Sequence, residues 1–552
     1  MATTGGDAVV AALEALGVEH VFGIVSVHNL PIVDAIERSE TMRFVPVRHE
    51  QAAVHCADGY ARASGRLGVA LTSTGPGAAN AMGALHEAYH ASSRVLMLTG
   101  QSETRWLGKG RGTIHEAERQ LDMLRTATRR SDRVEHRADV HETVVAVARD
   151  VLSGRPRPGA VEIPIDIQFA PGETGSTALR EPVRAAPDAT AVARAADMLA
   201  SADRPLLLAG GGVVSSGAAG LFLRLAELLG APVLTSVEGR GSIPEDHPLA
   251  LGANGDVARL DGVIAAADVV LANGTRFQLG SNLLMGLSIP GALIHLDADP
   301  GSIDRFHPVD LGIRCDAGLG LEALLAGLAE REIKGVDPAF VEAAREARRG
   351  VDADGEAAMG ADMRRVMAAI RSSIARDDIV VKDSTVPAIV WANRHLEVYE
   401  PRTSLRPVSA AIGPALPLAI GASLATGRRT VVIQGDGGFM LNLGELATAV
   451  QEGVPVITCV FNDRGYGILR FLQDMMFEGR RTAVDLHTPD FAMLAQSMAM
   501  PSWSAASAEE FEKAFTAAVE TAGPSLIDVD ITGFEPMRIV PQSPSTRGRR
   551  VR

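Results

Sequence analysis

Short apolar runs alternate with longer stretches of helical periodicity along most of the chain. In the first region the pattern predicts strands at residues 20–25, 43–47, 69–72, 95–99 and 160–165, and helices at 7–16, 49–63, 78–90 and 140–152. This alternation is typical of a mostly parallel sheet with helices on both faces. The pattern therefore predicts a doubly wound α/β domain over residues 1–168.

The same alternation occurs twice more. Apolar runs predict strands at residues 205–209, 232–235, 269–272 and 293–296, and then at 379–381, 430–433, 456–461 and 526–529. A segment rich in Pro, Gly and Thr (168–186) separates the first two regions, and a charged helical segment (339–362) joins the second to the third. We therefore predict three doubly wound α/β domains with mostly parallel sheets, at 1–168, 187–332 and 360–536, and a flexible basic tail at 537–552.

The composition narrows the class of protein. The 552 residues are 46% hydrophobic and 22% charged, as in globular proteins. A formal net charge of −14 argues against a nucleic-acid partner. Cys56, Cys315 and Cys459 are far apart in apolar sequence, which predicts buried free thiols. No export signal or membrane-spanning segment is visible, so we expect a cytoplasmic enzyme.

Two apolar runs of the third region end in oxygen-bearing residues. One run ends in Gly435-Asp436-Gly437, and the next ends in Asn462-Asp463, 27 positions after Asp436 (463 − 436 = 27). Parallel strand ends at this spacing would bring two hard oxygen ligands to one point, where Mg²⁺ could hold a diphosphate. The glycines allow a phosphate to approach the backbone closely. An ordinary glycine turn in a doubly wound sheet remains the alternative.

This segment resembles the diphosphate-binding motif of thiamine-diphosphate enzymes. The resemblance implies that Mg²⁺ binds Asp436, Asp463 and the backbone carbonyl of Gly465. Asp463 stands where the family has a second asparagine, which preserves an oxygen ligand. The implied contacts to the cofactor comprise Gly435, Asp436, Gly437, Gly438, Asp463, Gly465, Tyr466, Gly467 and Ile468.

The segment RHEQAAVHCADGYAR, at the predicted start of a helix, resembles the family's activating segment. The resemblance gives Glu50 the role of the acid that hydrogen-bonds to the cofactor's aminopyrimidine ring, for which a raised carboxyl pKa is favourable. In the family this glutamate meets a cofactor held by the neighbouring subunit. The resemblance thus implies a homodimer or homotetramer with active sites at the subunit interface. The alternative is a first-turn glutamate that complements the helix dipole.

Three further segments carry the same resemblance. LTSTGPGAANAMGAL is similar to the family's loop that lies against the aminopyrimidine, and the candidate contacts in it are Thr74, Pro76, Gly77 and Asn80. In PVSAAIGPALPLAIGA, Ile412 would lie under the bend of the cofactor, unless it is a plain core isoleucine. Gln101 matches a glutamine that faces the reacting centre in acetolactate synthases, although it could simply cap a strand.

The stretches GSIPEDHPLALGANG and NGTRFQLG resemble acetolactate synthase large subunits. Arg276 would then recruit the carboxylate of a second 2-oxo acid, or else brace a loop. His28 and His115 are candidates for proton transfer, with simple loop or capping roles as the alternative. Gln278, Leu279 and Leu472 depart from the family pattern in ways that affect the acceptor.

Together these segments imply decarboxylation of a 2-oxo acid with thiamine diphosphate and Mg²⁺, followed by joining of the remaining fragment to a second carbonyl, as in acetolactate synthase. A benzoylformate-type decarboxylase, a 2-hydroxyacyl-CoA lyase and a non-catalytic homologue are the alternatives. Residues 210–212 and 295–299 of the middle region fit a nucleotide site loosely. They leave FAD, an ADP-like ligand and an empty site open.

Overall fold

The computed structural model describes residues 3–175, 182–254, 257–277 and 287–538. Within them the chain forms three six-stranded sheets, and every paired strand is parallel to its neighbour. The strands are β1 (His20–Gly23), β2 (Arg43–Pro46), β3 (Gly68–Thr72), β4 (Val95–Gln101), β5 (Arg130–Arg133), β6 (Gly159–Pro164), β7 (Pro205–Ala209), β8 (Val233–Thr235), β9 (Ala250–Gly252), β10 (Val269–Asn273), β11 (Ala292–Asp297), β12 (Leu311–Arg314), β13 (Ile379–Lys382), β14 (Ser404–Leu405), β15 (Thr430–Gly435), β16 (Val456–Asn462), β17 (Ser502–Ala505) and β18 (Ser525–Asp530).

Helices connect the strands and cover both faces of the sheets. They are α1 (Gly5–Ala15), α2 (Leu30–Glu37), α3 (Glu50–Ser64), α4 (Pro76–Asn80), α5 (Met82–Ala91), α6 (Gln120–Arg125), α7 (Val140–Leu152), α8 (Ile165–Phe169), α9 (Ala189–Ser201), α10 (Gly211–Ser215), α11 (Ala219–Leu229), α12 (Asp261–Ala266), α13 (Ala317–Ala329), α14 (Pro338–Ser373), α15 (Ala415–Thr426), α16 (Asp436–Phe439), α17 (Glu445–Glu452), α18 (Gly467–Met476), α19 (Phe491–Ser497) and α20 (Ala508–Glu520). The predicted charged connection is the first part of α14, which is kinked at Gly360.

The order of the strands in each sheet indicates where a ligand would bind. The first sheet has the order β2-β1-β3-β4-β6-β5, and the third repeats it as β14-β13-β15-β16-β18-β17. The middle sheet has the order β12-β11-β10-β7-β8-β9, which is that of a dinucleotide-binding fold. The prediction of three doubly wound α/β units is confirmed. Ligands of such sheets bind beyond the carboxyl ends of the strands, where the order reverses.

A close helix crossing joins the first and third units. Helices α3 and α15 approach so tightly that a Cβ atom on Gly59 would lie 2.0 Å from the Leu418 carbonyl oxygen. A Cβ on Gly421 would lie 1.9 Å from the Cys56 carbonyl oxygen. Glycine at both positions therefore lets the two backbones touch, and the helices share one aliphatic core.

Several local predictions need correction. The helix predicted at 78–90 is two helices, α4 and α5, separated at Ala81. The first strand ends at Gly23, and Ile165 begins α8 instead of ending β6. The cysteine prediction is confirmed, because Cys56, Cys315 and Cys459 are free and buried. Among the described residues, the helices are all too short or too polar to cross a membrane. Residues 278–279 and most of the tail lie outside the described part.

Candidate active site

Two carboxylates meet where adjacent strands β15 and β16 end. The backbone N–H of Asp463 lies 3.4 Å from Oδ1 of Asp436. Asp436 is buried, and its Oδ2 has no hydrogen-bond partner in the part of the chain that the structure describes. Burial raises the pKa of Asp436, and burial together with the charge of Asp436 raises the pKa of Asp463. A cation between the two carboxylates would relieve both effects.

Glycines shape the backbone around this pair. A Cβ on Gly467 would lie 2.0 Å from Oδ2 of Asp463, and one on Gly437 would lie 2.7 Å from the ring of Tyr466. Gly465 packs so closely on the next chain segment that a Cβ would lie 2.1 Å from the Val484 carbonyl oxygen. Glycine at these positions therefore lets the loop pack tightly beside the carboxylates, where any side chain would collide with its neighbours. Helix α18 begins at this loop, at Gly467, followed by Ile468.

The oxygen atoms at this site suit Mg²⁺ better than they suit a metal ion whose ligands are all protein side chains. No group of three or more His, Cys, Asp or Glu with metal-binding geometry occurs in the described ranges. Mg²⁺ commonly takes one or two carboxylates and completes its shell with carbonyl, water and phosphate oxygens. Asp436, Asp463 and the carbonyl of Gly465 match that set, and Oδ2 of Asp436, which accepts no hydrogen bond from the described residues, is available to coordinate a cation.

A buried acid holds the neighbouring turn. Asp383, directly after β13, accepts hydrogen bonds from the Gly413 N–H (2.9 Å) and from Gln434 Nε2 (2.6 Å). Burial raises the pKa of Asp383 to about 7. Ile412 precedes Gly413 (φ 99°) and is 37% exposed, so it is not a core residue. A Cβ on Gly438 would lie 3.3 Å from the backbone nitrogen of Gly413, so this turn packs close to the carboxylate site. The sequence analysis missed Asp383, although an acid directly after an apolar strand was its signal.

Glu50 lies at the equivalent edge of the first sheet, as the first residue of α3. Asn80 Nδ2 donates to Oε2 of Glu50 at 3.0 Å. A Cβ on Gly77 would lie 3.1 Å from Oε1 of Glu50, so glycine leaves that face of the carboxyl open. Pro76 and Asn80 are exposed beside it. The structure thus brings together Glu50, Pro76, Gly77 and Asn80 as the resemblance implied.

Behind this cluster lies a buried hydrogen-bond network. Thr74 donates to Oε1 of Gln120 at 2.9 Å and to Oε1 of Gln101 at 3.3 Å. The amide nitrogen of Gln101 donates to Glu162, which also pairs with Arg133 at 3.1 Å. Gln101 is only 1% exposed, so its amide is held inside the domain in a single chain, and its expected role stays a prediction. Gln120 and Glu162 were not singled out by the sequence, because their partners are distant along the chain.

The two candidate histidines lie side by side. Their ring centroids are 5.5 Å apart, and His115 Nδ1 lies 3.2 Å from the Ser73 hydroxyl. His28 is buried, its Nδ1 has no partner, and burial followed by the charge of His115 lowers its pKa. His115 has a left-handed backbone (φ 57°), and its carbonyl oxygen lies 2.3 Å from the Cβ position of Gly75. Such strain is characteristic of functional positions.

Arg276 lies elsewhere, in a cavity of about 230 Å³ over the carboxyl ends of the middle sheet. It donates to the backbone carbonyl of His90, and burial followed by Arg155 lowers its pKa to about 10. The glycine turns after β7 and β10 touch there, since a Cβ on Gly212 would lie 2.6 Å from Gly274 Cα. Arg94, Arg155 and Arg402 also line the cavity. The arginine cluster and the glycine turns suit a phosphate-bearing ligand.

Comparison with family models matches all three units of the chain. The thiamine pyrophosphate enzyme N-terminal TPP binding domain matches residues 3–124, the central domain matches 192–324, and the C-terminal TPP binding domain matches 387–529. The chain therefore belongs to the thiamine pyrophosphate enzyme family, and thiamine diphosphate is its cofactor. This membership confirms the resemblance and makes the protein a thiamine-diphosphate-dependent carboligase or decarboxylase.

Relatives match over nearly the whole chain. A probable acetolactate synthase large subunit of Methanocaldococcus jannaschii is 33% identical, covering 97% of this chain and 93% of the relative. A probable 2-ketoarginine decarboxylase of Pseudomonas aeruginosa is 35% identical, covering 95% and 94%. An acetolactate synthase of Mycobacterium bovis is 31% identical, covering 90% and 82%. These relatives thus include proteins named as acetolactate synthases and one named as a 2-ketoarginine decarboxylase.

Proposed function

We propose that this protein decarboxylates a 2-oxo acid and joins the remaining fragment to a second carbonyl compound, as an acetolactate synthase does. The observation that carries the proposal is the carboxylate pair formed by the buried Asp436 and the half-buried Asp463, with Oδ2 of Asp436 lacking a hydrogen-bond partner among the described residues. This pair lies in a chain similar to acetolactate synthases over nearly its full length.

Mg²⁺ and the diphosphate would bind at the end of the third sheet. Asp436, Asp463 and the Gly465 carbonyl would hold the cation, and the glycine-rich loop beside Tyr466 would receive the phosphates. When bound, thiamine diphosphate supplies an electron sink for the loss of CO₂ from a 2-oxo acid. Ile412, held by the Asp383–Gly413 contact, would restrict the conformation of the cofactor from below.

The first sheet would supply the proton-handling groups. Glu50, oriented by Asn80, would hold a proton toward the pyrimidine ring of the cofactor. His28 and His115 would move a proton at the reacting end, where burial lowers the pKa of His28 and so favours its neutral imidazole. The Thr74–Gln120 contact would fix the loop that carries Pro76 and Gly77.

The two halves would belong to one active site across a homodimer interface, with a homotetramer as the larger assembly. Apolar side chains beside both halves are exposed in the single chain, which supports burial against a second copy. They include Val25, Val27, Ile114, Ile412, Leu441 and Leu469. Such an interface would place Glu50 of one protomer at the cofactor held by its partner.

Simple decarboxylation is the second candidate. It is supported by the His28–His115 pair, which could protonate the product before an acceptor reacts, and by the 2-ketoarginine decarboxylase relative. Product analysis distinguishes the two. With pyruvate, thiamine diphosphate and Mg²⁺, NMR should detect 2-acetolactate. Acetaldehyde alone would select the decarboxylase. Absence of turnover with every 2-oxo acid tested, despite bound cofactor, would overturn both.

The central cavity would hold FAD through its ADP portion. Arg94, Arg155 and Arg402 are the groups that would neutralise its phosphates, beside the glycine turn after β7. The purified protein should then be yellow, with flavin absorbance near 450 nm that is released on denaturation. A colourless protein that releases ADP on denaturation would replace FAD with an ADP-like ligand. Release of neither would remove this proposal.

A further inference from the structure

A closed surface loop connects two residues of the proposed site. It leaves β4 after Gln101 and returns at His115, and we name residues 103–112 the basic loop. The hydroxyl groups of Ser102 and Thr113 lie 3.1 Å apart and close its base. Glu116 accepts hydrogen bonds from the N–H groups of Gly112 (2.6 Å) and Thr113 (3.0 Å). The loop therefore projects from the site as one unit with a fixed root.

Three cations surround one aromatic ring in this loop. Arg105 lies 4.8 Å, Arg111 5.7 Å and Lys109 6.0 Å from the centroid of the Trp106 ring. Contacts of this kind hold cationic side chains over an aromatic face. Arg105 is already paired with Glu103. Across the described ranges, neither Lys109 nor Arg111 forms an ion pair with a carboxylate.

Among the lysines of this chain, the unpaired state is unusual. Of its four lysines, Lys334 and Lys513 pair with carboxylates at 2.7 Å, and Lys382 is buried against Ser404. Lys109 is the remaining one, and both it and Arg111 are exposed. In a protein with a net charge of −14, two uncompensated cations form a local positive patch. The patch would attract an anion to an otherwise repulsive surface.

The backbone lets the tip of the loop move while its root stays in place. Gly108, Gly110 and Gly112 have positive φ values of 68°, 57° and 69°. No heavy atom lies within 4 Å of the Cβ positions of Gly108 and Gly112, so these residues are not packed. His115, in contrast, is pressed against Gly75. Unpacked glycines that flank Lys109 and Arg111 allow the two cations to adjust toward a bound molecule.

We propose that Lys109 and Arg111 determine substrate specificity by binding a second anionic group, such as a terminal carboxylate, on the 2-oxo acid. This inference rests on the proposed 2-oxo acid chemistry and extends it to the class of substrate. The 2-oxo acid end lies at the His28–His115 side of the site, and the distal anion faces the basic loop. The ring of Trp106 holds the charged groups of Lys109 and Arg111 on its own side of the loop.

A pair of matched substrates tests the proposal on the full-length holoenzyme. In 5-methyl-2-oxohexanoate, two methyl groups replace the distal carboxylate oxygens of 2-oxoglutarate. The wild type should have the higher kcat/KM for 2-oxoglutarate, and that preference should weaken as salt is raised. In the variant Lys109→Gln/Arg111→Gln, the ratio of the two kcat/KM values should fall roughly tenfold, chiefly through KM, because each cation acts at an exposed, screened site.

Arg305→Gln is the matched control, since Arg305 is also exposed and lies 5.2 Å from an aromatic ring, that of Phe306. It should retain the wild-type ratio. The charge reversal Lys109→Glu/Arg111→Glu should lower the ratio further. A wild type that prefers the neutral acid, or an unchanged ratio in both double variants, would overturn the inference. Failure of the wild type to turn over either acid or pyruvate would instead count against the proposed function.

Discussion

The first and third sheets share one strand order but end in different chemistry. Strands β3 and β4 lead to the Gly75-Pro76-Gly77 turn and to Gln101, whereas the equivalent β15 and β16 lead to Asp436 and Asp463. Strand β2 is followed by Glu50, but its counterpart β14 is followed by the Ile412 turn. Topology thus fixes where each half of the site lies, and a few residues at the strand ends decide what that half does.

The helices at the centre show the same similarity and the same divergence. α3 follows β2 and α15 follows β14, and their crossing is symmetric, because Gly59 meets Leu418 and Gly421 meets Cys56. Each glycine is three positions after the residue that the other helix contacts (59 − 56 = 3 and 421 − 418 = 3). However, α3 buries His55 and Asp58, whereas α15 has no titratable residue. The backbone contact is equivalent on the two helices, but only α3 contributes titratable side chains that make the stability of this region depend on pH.

The largest effect on cofactor binding is expected from a change at the end of the third sheet. Asp436→Ala should weaken Mg²⁺-dependent binding of thiamine diphosphate more than about 100-fold, because even residues that only support a metal ligand contribute 10–100-fold. Isothermal titration calorimetry with and without Mg²⁺ measures this. Asp474→Ala, which removes a partly exposed carboxylate of α18 that pairs with Arg481, should bind the cofactor normally. Tight binding by Asp436→Ala would show that the metal assignment is wrong.

Replacement of Glu50 at the first sheet should affect catalysis and not the retention of the cofactor. Glu50→Gln should bind thiamine diphosphate nearly as well as the wild type but lower kcat by about 10²–10⁴, since it removes a positioned proton donor. Hydrogen–deuterium exchange at C2 of the bound cofactor, followed by NMR, should slow in parallel. The control is Glu37→Gln on the exposed end of α2. Wild-type exchange in Glu50→Gln would remove Glu50 from this role.

The helix crossing gives the next effect. Gly59→Ala and Gly421→Ala should each lower the free energy of unfolding by about 1–3 kcal/mol, because the added methyl group meets a carbonyl on the other helix. Gly83→Ala in α5 has no heavy atom within 4 Å of its Cβ position and should be neutral or slightly stabilising. Urea unfolding midpoints measure all three. If alanine at either Gly59 or Gly421 left the free energy of unfolding unchanged, the two sides of the contact would not be equivalent.

The smallest effect is the pH dependence of α3. Burial lowers the pKa of His55 from an ordinary 6.5 to about 3, so the unfolded chain takes up a proton first as the pH falls. The stability associated with the neutral imidazole is therefore lost below pH 6.5, by about 2 kcal/mol at pH 5. Burial raises the pKa of Asp58 to about 6, which acts in the opposite direction. The effect of Asp58 is present in both the wild type and a His55 variant. Comparing the pH dependence of their stabilities therefore isolates the contribution of His55.

Thermal unfolding at pH 7 and pH 5 provides that comparison. His55→Gln should lose less stability between the two pH values than the wild type loses. His136→Gln, at an exposed position in the segment after β5, should behave like the wild type. An equal pH dependence in His55→Gln and the wild type would contradict the buried neutral histidine.

The interior strands were predictable, but five of the six edge strands were not. An interior strand is apolar on both faces and produces a continuous run such as that of β16. An edge strand is short and partly polar, as Arg130–Arg133 in β5 and Ser404–Leu405 in β14 illustrate. The missed strands, all at sheet edges, are β5, β9, β12, β14 and β17. Their pairing depends on the neighbouring strand and leaves little local pattern.

The candidate site divides in a similar way. Asp436, Asp463 and Glu50 lie in contiguous motifs, so their types and spacing could be interpreted directly. Asp383 and Glu162 act through partners 30 to 61 positions away, Gly413 and Gln101, and only the fold brings them together. The separation of Arg276 from the Glu50 cluster likewise required the structure, since its motif indicates a carboxylate ligand but not which cavity holds it.

Mixing the two inactive variants tests the central claim, that equivalent sheets of two chains form one site. Glu50→Gln and Asp436→Ala protomers are unfolded, refolded together and assayed with the 2-oxo acid that the wild type converts. Half of randomly paired dimers are mixed, and each has one intact site, so activity should recover to about a quarter of the wild-type value. Activity no higher than that of either variant alone would contradict a site shared between protomers.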